Sequence, residues 1–263
     1  MLNKFRFAKF MHWPEYLMEA FGLGLFMIVA CTVVTLFEHP SAPFHAAITD
    51  PLLRRFITGC LMGLTAMALV YSPWGKRSGA HLNPAVTLTF FRLGKVKGID
   101  AAAYITAQFL GAWAGVWLAA IILGPLLADP TVNYIVTAPG VGGVMAAFLA
   151  ELFISFGLMT AVLTFSGTPG AAPLTGVVAG VLVAAYITVE APISGTSMNP
   201  ARSLGSALFA RCWSGIWIYF TAPLLGMLAA AEVLRRRPDL RQAMCAKLYH
   251  SLAVRCIFCG HRP

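Results

Sequence analysis

Residues 78–89 read SGAHLNPAVTLT, and residues 194–205 read SGTSMNPARSLG. In both stretches an Asn stands directly before a Pro, which is typical of a helix start, because Asn caps the first turn and Pro needs no N–H partner there. Each stretch also follows a long apolar run. The sequence therefore predicts two short helices, over 83–92 and 199–210, whose first residues lie where water is scarce.

The composition is that of an integral membrane protein. Of the 263 residues, 59% are hydrophobic and 11% are charged, whereas soluble domains carry about 25% charged residues. Several apolar runs reach the length of about 20 residues that a helix needs to cross a bilayer core of about 30 Å. The predicted spans are 17–37, 52–72, 102–123, 143–165, 173–193 and 215–234. With the two short helices, this predicts an all-α membrane protein with six transmembrane helices and two re-entrant half-helices.

The formal net charge of +9 lies mostly on one side of the predicted spans. Lysines and arginines cluster before the first span, between the second and third spans, and after the sixth span. The arginines toward the other side are Arg54, Arg55, Arg202 and Arg211. By the positive-inside rule both termini are expected in the cytoplasm, with the protein in a plasma membrane or a bacterial inner membrane. The basic tail is expected to contact anionic lipid, and no nucleic-acid partner is predicted.

The two halves of the chain resemble each other. Glu19 in MEAFGLGLFM matches Glu151 in AELFISFGLM, and YITAQFLGAWAG from Tyr104 matches YFTAPLLGMLAA from Tyr219. Each half holds an odd number of spans, so the second copy enters the membrane from the opposite face and the repeat is inverted. The predicted segments are a cytoplasmic N-terminal segment (1–14), a channel domain (15–235) with repeats over 15–123 and 143–235, and a basic, Cys-containing cytoplasmic tail (236–263).

An inverted repeat points the two half-helices at each other near the membrane centre. Each helix N-terminus carries about half a positive charge, so the place where they meet repels cations. Non-helical backbone at this depth is tolerated only inside protein or beside a wet cavity, which predicts that loop carbonyl groups line a pore. The candidate carbonyl groups belong to Gly79, Ala80, His81, Gly195, Thr196 and Ser197.

Asn83 and Asn199 lie at this meeting point and offer amide N–H donors. A water molecule that accepts from both must turn its own hydrogens away from the centre, which interrupts a proton-conducting chain of waters. In the alternative interpretation each Asn only caps its helix. His81, the nearby titratable residue, is expected to bond the backbone locally.

On these residues the chain closely resembles the aquaporin, or major intrinsic protein, family over roughly 15–235. The resemblance implies a right-handed bundle of six helices and two half-helices, assembled as a homotetramer in which every protomer has its own pore. It also implies that Glu19 and Glu151 support the two re-entrant loops, with proton coupling as the alternative for such intramembrane carboxylates. The implied pore centre consists of Asn83, Pro84, Ala85, Asn199, Pro200 and Ala201.

The resemblance further implies a selectivity filter. Arg202 and Thr196 match the filter positions after and before the second Asn-Pro-Ala box, and Ile187 stands where water-specific members usually hold His. The fourth position is Met62 or Gly63, and with Met62 the filter is less polar than that of a strict water channel. As alternatives, the arginine extends to interfacial water, and the two apolar side chains are ordinary lipid-facing or core residues.

Ser203, Tyr219 and Phe220 resemble the pattern of water channels, since bulky aromatic residues leave less room for a carbon chain. The expected function is therefore a passive channel that conducts water and excludes ions and protons. Facilitated passage of glycerol or other small uncharged solutes is the alternative, and an ion-coupled secondary transporter is a further one. Neither an enzymatic activity nor a cofactor is predicted.

The tail contains a separate group of cysteines and histidines. Cys256 and Cys259, with Cys245, His250 and His261 nearby, could supply four zinc ligands, and the candidate set is Cys245, Cys256, Cys259 and His261. A second Cys-x-x-Cys motif at regular spacing is absent from the sequence. The sequence therefore favours a tail with reduced thiols and no metal, and leaves zinc as the alternative.

Overall fold

The computed structural model describes residues 11–237, 243 and 245–262. Residues 1–10 of the predicted N-terminal segment (1–14) lie outside the described residues. Tail residues 238–242, 244 and 263 also lie outside them. Within the described part of the chain the regular structure is helical throughout, which confirms the predicted all-α class.

The helices follow the predicted order. They are α1 (Trp13–Glu38), α2 (Pro43–Ala47), α3 (Pro51–Tyr71), α4 (Pro73–Ser78), α5 (Pro84–Arg92), α6 (Gly98–Leu123), α7 (Pro125–Ala128), α8 (Gly143–Gly167), α9 (Thr175–Ser194), α10 (Pro200–Ala210) and α11 (Ile216–Arg235). Helices α1, α3, α6, α8, α9 and α11 correspond to the six predicted spans, and each is long and apolar enough to cross a membrane. Helices α5 and α10 are the two half-helices.

Helices α1 and α6 begin earlier than their apolar runs predict, at Trp13 rather than 17 and at Gly98 rather than 102. Their first turns contain polar side chains that bond to each other. The Tyr16 hydroxyl donates to Asp100 Oδ1 at 2.6 Å, and Nδ1 of His12 lies 2.7 Å from the same oxygen. Because hydropathy registers these groups as polar and not as paired, it places the start of both spans too late in the sequence.

The two halves run through the membrane in opposite directions. We call the side at which α1 begins and α11 ends the tail side. There the Tyr71 hydroxyl, at the end of α3, donates to the Pro173 carbonyl, just before α9. At the other end of the same pair, Arg55 Nε donates to the Thr188 carbonyl. Helices α3 and α9 are therefore antiparallel, so α5 returns from the membrane centre to the tail side and α10 returns to the opposite side.

The packing of the long helices has the symmetry of an inverted repeat. Helix α1 packs along α6 in the first half and α8 packs along α11 in the second, while α3 and α9 join the halves. Small residues allow close backbone approach at such crossings. A Cβ on Gly63 would overlap the Gly180 carbonyl of α9, and one on Gly111 would overlap the backbone of Ala20 in α1.

The outer faces of the bundle are apolar. Leu110, Phe153 and Val189 are 59%, 65% and 67% exposed, respectively. Contiguous exposed apolar surface of this kind is unfavourable in water and suits a protein surrounded by lipid. The fold therefore belongs in a membrane, with its polar residues turned inward.

Candidate functional site: two half-helices that meet at a cavity

Each half-helix is capped by the Asn that precedes it. Asn83 Oδ1 accepts from the Ala85 N–H at 2.9 Å, and Asn199 Oδ1 accepts from the N–H groups of Ala201 and Arg202 at 3.0 and 3.3 Å. These bonds satisfy donors that a helix start otherwise leaves without partners. Both helices thus begin at the membrane centre with their N-termini turned inward.

The same two Asn side chains also join the halves of the protein. Asn83 Nδ2 donates to the Met198 carbonyl at 2.7 Å, and Asn199 Nδ2 donates to the Leu82 carbonyl at 2.8 Å. An amide nitrogen carries two hydrogens, so each Asn retains a second N–H. Capping alone therefore does not account for these residues, because each also bonds the opposite loop and keeps a donor.

The loops before the half-helices share an unusual backbone. Ala80 and Leu82 have φ angles of 53° and 49°, and the corresponding Thr196 and Met198 have φ angles of 53° and 52°. Residues other than glycine rarely adopt this left-handed conformation, which costs about 1–3 kcal/mol and persists only when the surroundings enforce it.

Glu19 holds the first loop in this conformation. Its Oε1 accepts from the Ser78 hydroxyl at 2.7 Å and from the His81 N–H at 3.1 Å. Its Oε2 accepts from the Leu82 N–H at 2.6 Å and from Gln108 Nε2 at 2.8 Å. The carboxylate is fully buried and does not line the cavity described below.

Glu151 holds the second loop in nearly the same way. Its Oε1 accepts from the Ser194 hydroxyl and the Ser197 N–H, both at 2.6 Å, and its Oε2 accepts from the Met198 N–H at 2.7 Å. The position that matches Gln108 in the repeat is occupied by Pro223, which has no side-chain donor. Both glutamates therefore accept three hydrogen bonds from their loops, and Glu151 lacks the fourth bond that Gln108 gives to Glu19.

A cavity of about 560 Å³ runs between the half-helices and the spans around them. It is far larger than the about 10–15 Å³ that a single water molecule needs. Asn83 and Asn199 line it, and so do the predicted loop residues Ala80, His81, Gly195, Thr196 and Ser197. Pro84, Ala85, Pro200 and Ala201 are buried behind this wall.

One predicted loop carbonyl does not face the cavity. The Gly79 carbonyl accepts the N–H of Leu248, a tail residue, at 3.1 Å. The His81 ring also reaches the tail, because its Nε2 lies 2.8 Å from the Ala246 carbonyl. The expectation that His81 bonds the backbone locally is therefore wrong: its backbone partner belongs to the tail, and its local partner is the Thr87 hydroxyl, 3.1 Å from Nδ1.

The predicted filter residues Met62, Ile187, Thr196 and Arg202 all line the cavity. Gly63 does not, since its Cα faces α9, so Met62 is the residue that α3 presents to the cavity. Nη1 of Arg202 is buried and has no hydrogen-bond partner among the described residues. The Arg202 side chain as a whole is partly exposed, so it places positive charge at the cavity wall.

Three residues near the site were missed by the sequence analysis. Glu190 accepts the Thr196 hydroxyl at 2.6 Å and fixes that filter candidate, and its charge inside a predicted span was a usable signal. Gln108 was marked in the same way by its polarity in an apolar span. Leu248 lines the cavity, and no pattern in the sequence pointed to it.

Tyr219 and Phe220 were expected to narrow the pore, and this expectation is wrong. The Tyr219 ring is fully buried and its hydroxyl donates to the Ser194 carbonyl at 2.7 Å. The Phe220 ring stacks on Phe109 with 6.0 Å between centroids. Neither residue lines the cavity, so neither discriminates water from larger solutes by its bulk.

A Tyr219→Phe variant tests this placement. We expect the free energy of unfolding to fall by about 1 kcal/mol, because the Ser194 carbonyl loses its donor. The ratio of water to glycerol flux in proteoliposomes should stay unchanged. Tyr104→Phe is the matched variant, since Tyr104 donates to the Ser78 carbonyl at 2.7 Å. A changed flux ratio in Tyr219→Phe would place this ring in the pore after all.

Comparisons with known proteins agree with this architecture. The sequence model of the family described as Major intrinsic protein matches residues 6–234. Aquaporin NIP1-1 of Arabidopsis thaliana is 38% identical over 65% of this chain and 58% of its own length. Aquaporin NIP1-2 of the same plant is 31% identical over 82% of this chain and 71% of its own length.

Among solved structures, the aquaglyceroporin from Plasmodium falciparum superimposes with a TM-score of 0.70. The similarity covers 86% of this chain and 97% of that chain, at 18% sequence identity. At this identity the likeness supports the fold alone. The chain spans 58% of the length of the first plant relative named above.

Proposed function

The chain belongs to the major intrinsic protein family, and from this premise we propose that it is a passive channel that conducts water across a membrane and excludes ions and protons. The observation that carries the proposal is the meeting of two capped half-helices at the cavity, with Asn83 and Asn199 bonded to each other's loops. Neither a coupled transporter nor an enzyme requires such a fixed arrangement of donors along a cavity.

The half-helices supply the barrier against cations. Each N-terminus contributes about half a positive charge, so the two together amount to about one charge at the membrane centre. In surroundings of low dielectric constant this charge acts over a longer distance than it would in water. Neutral molecules are not subject to this barrier, because they carry no net charge.

The remaining amide N–H groups of Asn83 and Asn199 orient a passing water. A water oxygen that accepts from both turns its hydrogens toward the two ends of the cavity. It donates to the waters on both sides and cannot accept from either of them, whereas a proton relay needs each water to accept from one neighbour and donate to the next. The proposal therefore includes proton exclusion at the same place as cation exclusion.

The proposed filter is formed by Met62, Ile187, Thr196 and Arg202. Arg202, which lines the cavity, donates through its guanidinium group to the permeating molecule and adds positive charge on the side opposite the tail. Charged groups in constrictions act in this way in selective pores. Glu190 positions the Thr196 hydroxyl beside it.

Glycerol or another small uncharged solute is the second candidate permeant. The apolar side chains of Ile187 and Met62 in the cavity wall favour it, because they suit the carbon backbone of a polyol. Tyr219 and Phe220 lie outside the cavity wall, so they give no argument against passage of glycerol. Water remains the first candidate, since it passes any opening that admits a polyol.

An ion-coupled transporter is the functional class that must be tested against the channel. Such proteins need titratable or ion-coordinating groups at the midplane, and neither Glu19 nor Glu151 lines the cavity. Purified protein in liposomes should give water flux, measured by stopped-flow light scattering, that is unaffected by imposed proton or sodium gradients. Solute uptake that requires such a gradient would contradict the channel proposal.

The variant Ile187→His tests the filter. We expect the ratio of glycerol flux to water flux to fall by about tenfold, because a polar ring replaces an apolar wall and narrows the opening. Parallel stopped-flow measurements with water and glycerol give this ratio. Val189→His, on the exposed face of the same helix, is the control. Unchanged fluxes in Ile187→His would show that the filter lies elsewhere.

We further propose that the protein is a homotetramer in a cell membrane, with both termini in the cytoplasm. The apolar outer faces of the bundle support contact with lipid and with other copies. The tail side is then the cytoplasmic side. The mass of the detergent-solubilised protein tests the tetramer, and side-specific labelling of the exposed Cys259 thiol in the presence of a metal chelator tests the orientation.

A further inference from the structure

The described tail residues 245–262, which we call the tail knuckle, fold back onto the loop that leads to the first half-helix. The Leu248 N–H donates to the Gly79 carbonyl at 3.1 Å, and the Ala246 carbonyl lies 2.8 Å from His81 Nε2. The Lys247 ammonium is buried and donates to the Lys76 carbonyl at 2.8 Å. The knuckle is therefore attached by two polar contacts to the loop and by a third to α4.

Aromatic stacking adds to this attachment. The Phe258 ring stacks on His81 with 5.5 Å between centroids and an interplanar angle of 8°. His81 stacks on Phe90 of α5 on its other side, with 5.1 Å between centroids. At the edge of the knuckle, Tyr249 contacts Tyr71 edge to face at 5.2 Å. One tail ring is thus packed against a residue that itself lines the cavity.

The docked knuckle places an apolar side chain in the cavity. Leu248 is 8% exposed and lines the cavity. Its N–H bond to Gly79 locates it on the tail side, where the loop enters the membrane. A hydrophobic side chain in a narrow passage hinders the passage of water, because it offers the water molecules no hydrogen-bond partner.

The knuckle also brings together four potential metal ligands. The ligand atoms of Cys245, His250, Cys256 and Cys259 all lie within 4.8 Å of one another. The Cys245 and Cys256 sulfurs are 3.3 Å apart, and His250 Nε2 is 3.2 Å from the Cys259 sulfur. Zn–S bonds of about 2.3 Å at tetrahedral angles put ligand atoms about 3.8 Å apart, which is within this range.

The backbone of the knuckle suits such a site. Gly260 has a φ angle of 76°, and its N–H donates to the Cys256 carbonyl at 3.1 Å. This closes a tight turn that points both cysteines of the Cys-x-x-Cys pair the same way. His261 is not part of the cluster, because its Nε2 lies 2.8 Å from the Leu252 carbonyl. The candidate set from the sequence is therefore wrong in one member, because His250 and not His261 lies with the three cysteines.

We propose that Cys245, His250, Cys256 and Cys259 bind one Zn²⁺, and that the metal-bound knuckle holds Leu248 in the tail-side mouth of the cavity. Three thiols and one imidazole form a closed tetrahedral set, as in structural zinc sites. Each thiol releases its proton to water as it binds the metal. A segment this short buries little apolar surface of its own, so the metal supplies the stability that keeps it folded.

Metal content tests the site directly. The full-length protein is purified in a thiol reductant with an affinity tag that contains no histidine. Its zinc content is then measured by inductively coupled plasma mass spectrometry. We expect about one zinc per chain, and loss of most of it in Cys256→Ser, Cys259→Ser and His250→Ala. The matched controls Cys212→Ser and His261→Ala should keep wild-type zinc.

Two results would overturn the metal site. One is equal zinc content in Cys256→Ser and the wild type. The other is a zinc-free protein whose intact mass shows a disulfide in place of two thiols, since Cys245 and Cys256 are near enough for that reaction under an oxidant. Either result leaves the proposed channel function untouched, because zinc content is independent of flux.

The proposal that the knuckle closes the cavity rests on the proposed channel function, and flux measurements test it. We expect a membrane-permeant zinc chelator to raise the water permeability of wild-type proteoliposomes by about threefold or more, as an apolar constriction opens. Cys259→Ser should start at the higher permeability and not respond to chelator. Leu248→Ala should also be more permeable while keeping its zinc, which separates the plug from the metal that holds it.

Chelation that removes zinc without changing flux would overturn the closing role. A chain that binds zinc but conducts neither water nor glycerol, even as Leu248→Ala or after chelation, would instead contradict the proposed function. We expect Zn²⁺ added back to the chelated wild-type protein to restore its low permeability. The same addition to Cys259→Ser should leave the permeability high.

Discussion

Replacing Glu19 by alanine is expected to prevent stable folding of the protein. The variant leaves the Ser78 hydroxyl, the N–H groups of His81 and Leu82, and the Gln108 amide without their acceptor. Each buried donor that loses its partner costs about 1–3 kcal/mol, so four of them cost about 4–12 kcal/mol. This is comparable with the whole stability of a typical protein, about 5–15 kcal/mol.

The measurement is the yield of monodisperse protein in mild detergent, together with its thermal unfolding. Glu232→Ala is the control, because Glu232 is a partly exposed carboxylate whose partners Arg92 and Arg235 are about half exposed, and such pairs contribute about 0–1 kcal/mol. Glu19→Gln should fall between the two, since it keeps one acceptor oxygen. If Glu19→Ala is as stable as Glu232→Ala, the carboxylate does not hold the loop.

Much of the fold could be predicted because the membrane limits the choices. Only helices satisfy their backbone groups in lipid, so six apolar runs and two Asn-Pro boxes were sufficient to give the order and the inverted repeat. The boundaries that were wrong belong to turns whose polar groups pair across the bundle, such as Tyr16 with Asp100. Hydropathy averages a window of residues and does not register a partner elsewhere in the chain.

The site could be predicted where the two halves repeat and could not where they differ. Glu19 and Glu151 stand out because the same residue recurs at matching places, and both hold their loops in the structure. Gln108 has no counterpart, since Pro223 takes its place, so the repeat gave no signal for it. Tyr219 was misplaced because a helix position alone does not say which face turns toward the cavity.

The tail was the least predictable part, because its contacts join residues that are far apart in sequence. His81 and Ala246 are separated by 165 positions, and no periodic pattern links them. The Cys-x-x-Cys motif was visible, but the choice between His250 and His261 depends on how the turn folds. A motif gives the type of ligand, whereas tertiary contacts decide which side chains meet.

Changing Asn83 to aspartate is expected to make the channel leak cations. The two half-helix ends carry about one positive charge together, and one carboxylate placed beside them cancels it. The carboxylate can still accept from the Ala85 N–H, so the cap is retained, while the donor to the Met198 carbonyl is lost. Lowering the barrier by only about 1.4 kcal/mol raises a rate tenfold, and opposite charges near a protein surface interact by about 4 kcal/mol at 4 Å.

Cation flux in proteoliposomes, followed with a potassium-sensitive dye at pH 8, should therefore exceed that of the wild type by about tenfold or more. At acid pH the introduced carboxylate takes up a proton, the positive potential returns, and the leak should diminish. Asn133→Asp is the control, because it adds the same charge in a turn on the side opposite the tail. Water flux should persist in both variants. If Asn83→Asp conducts water but excludes cations at pH 8 as fully as Asn133→Asp does, the paired helix ends are not the barrier, and ion exclusion must arise at Arg202.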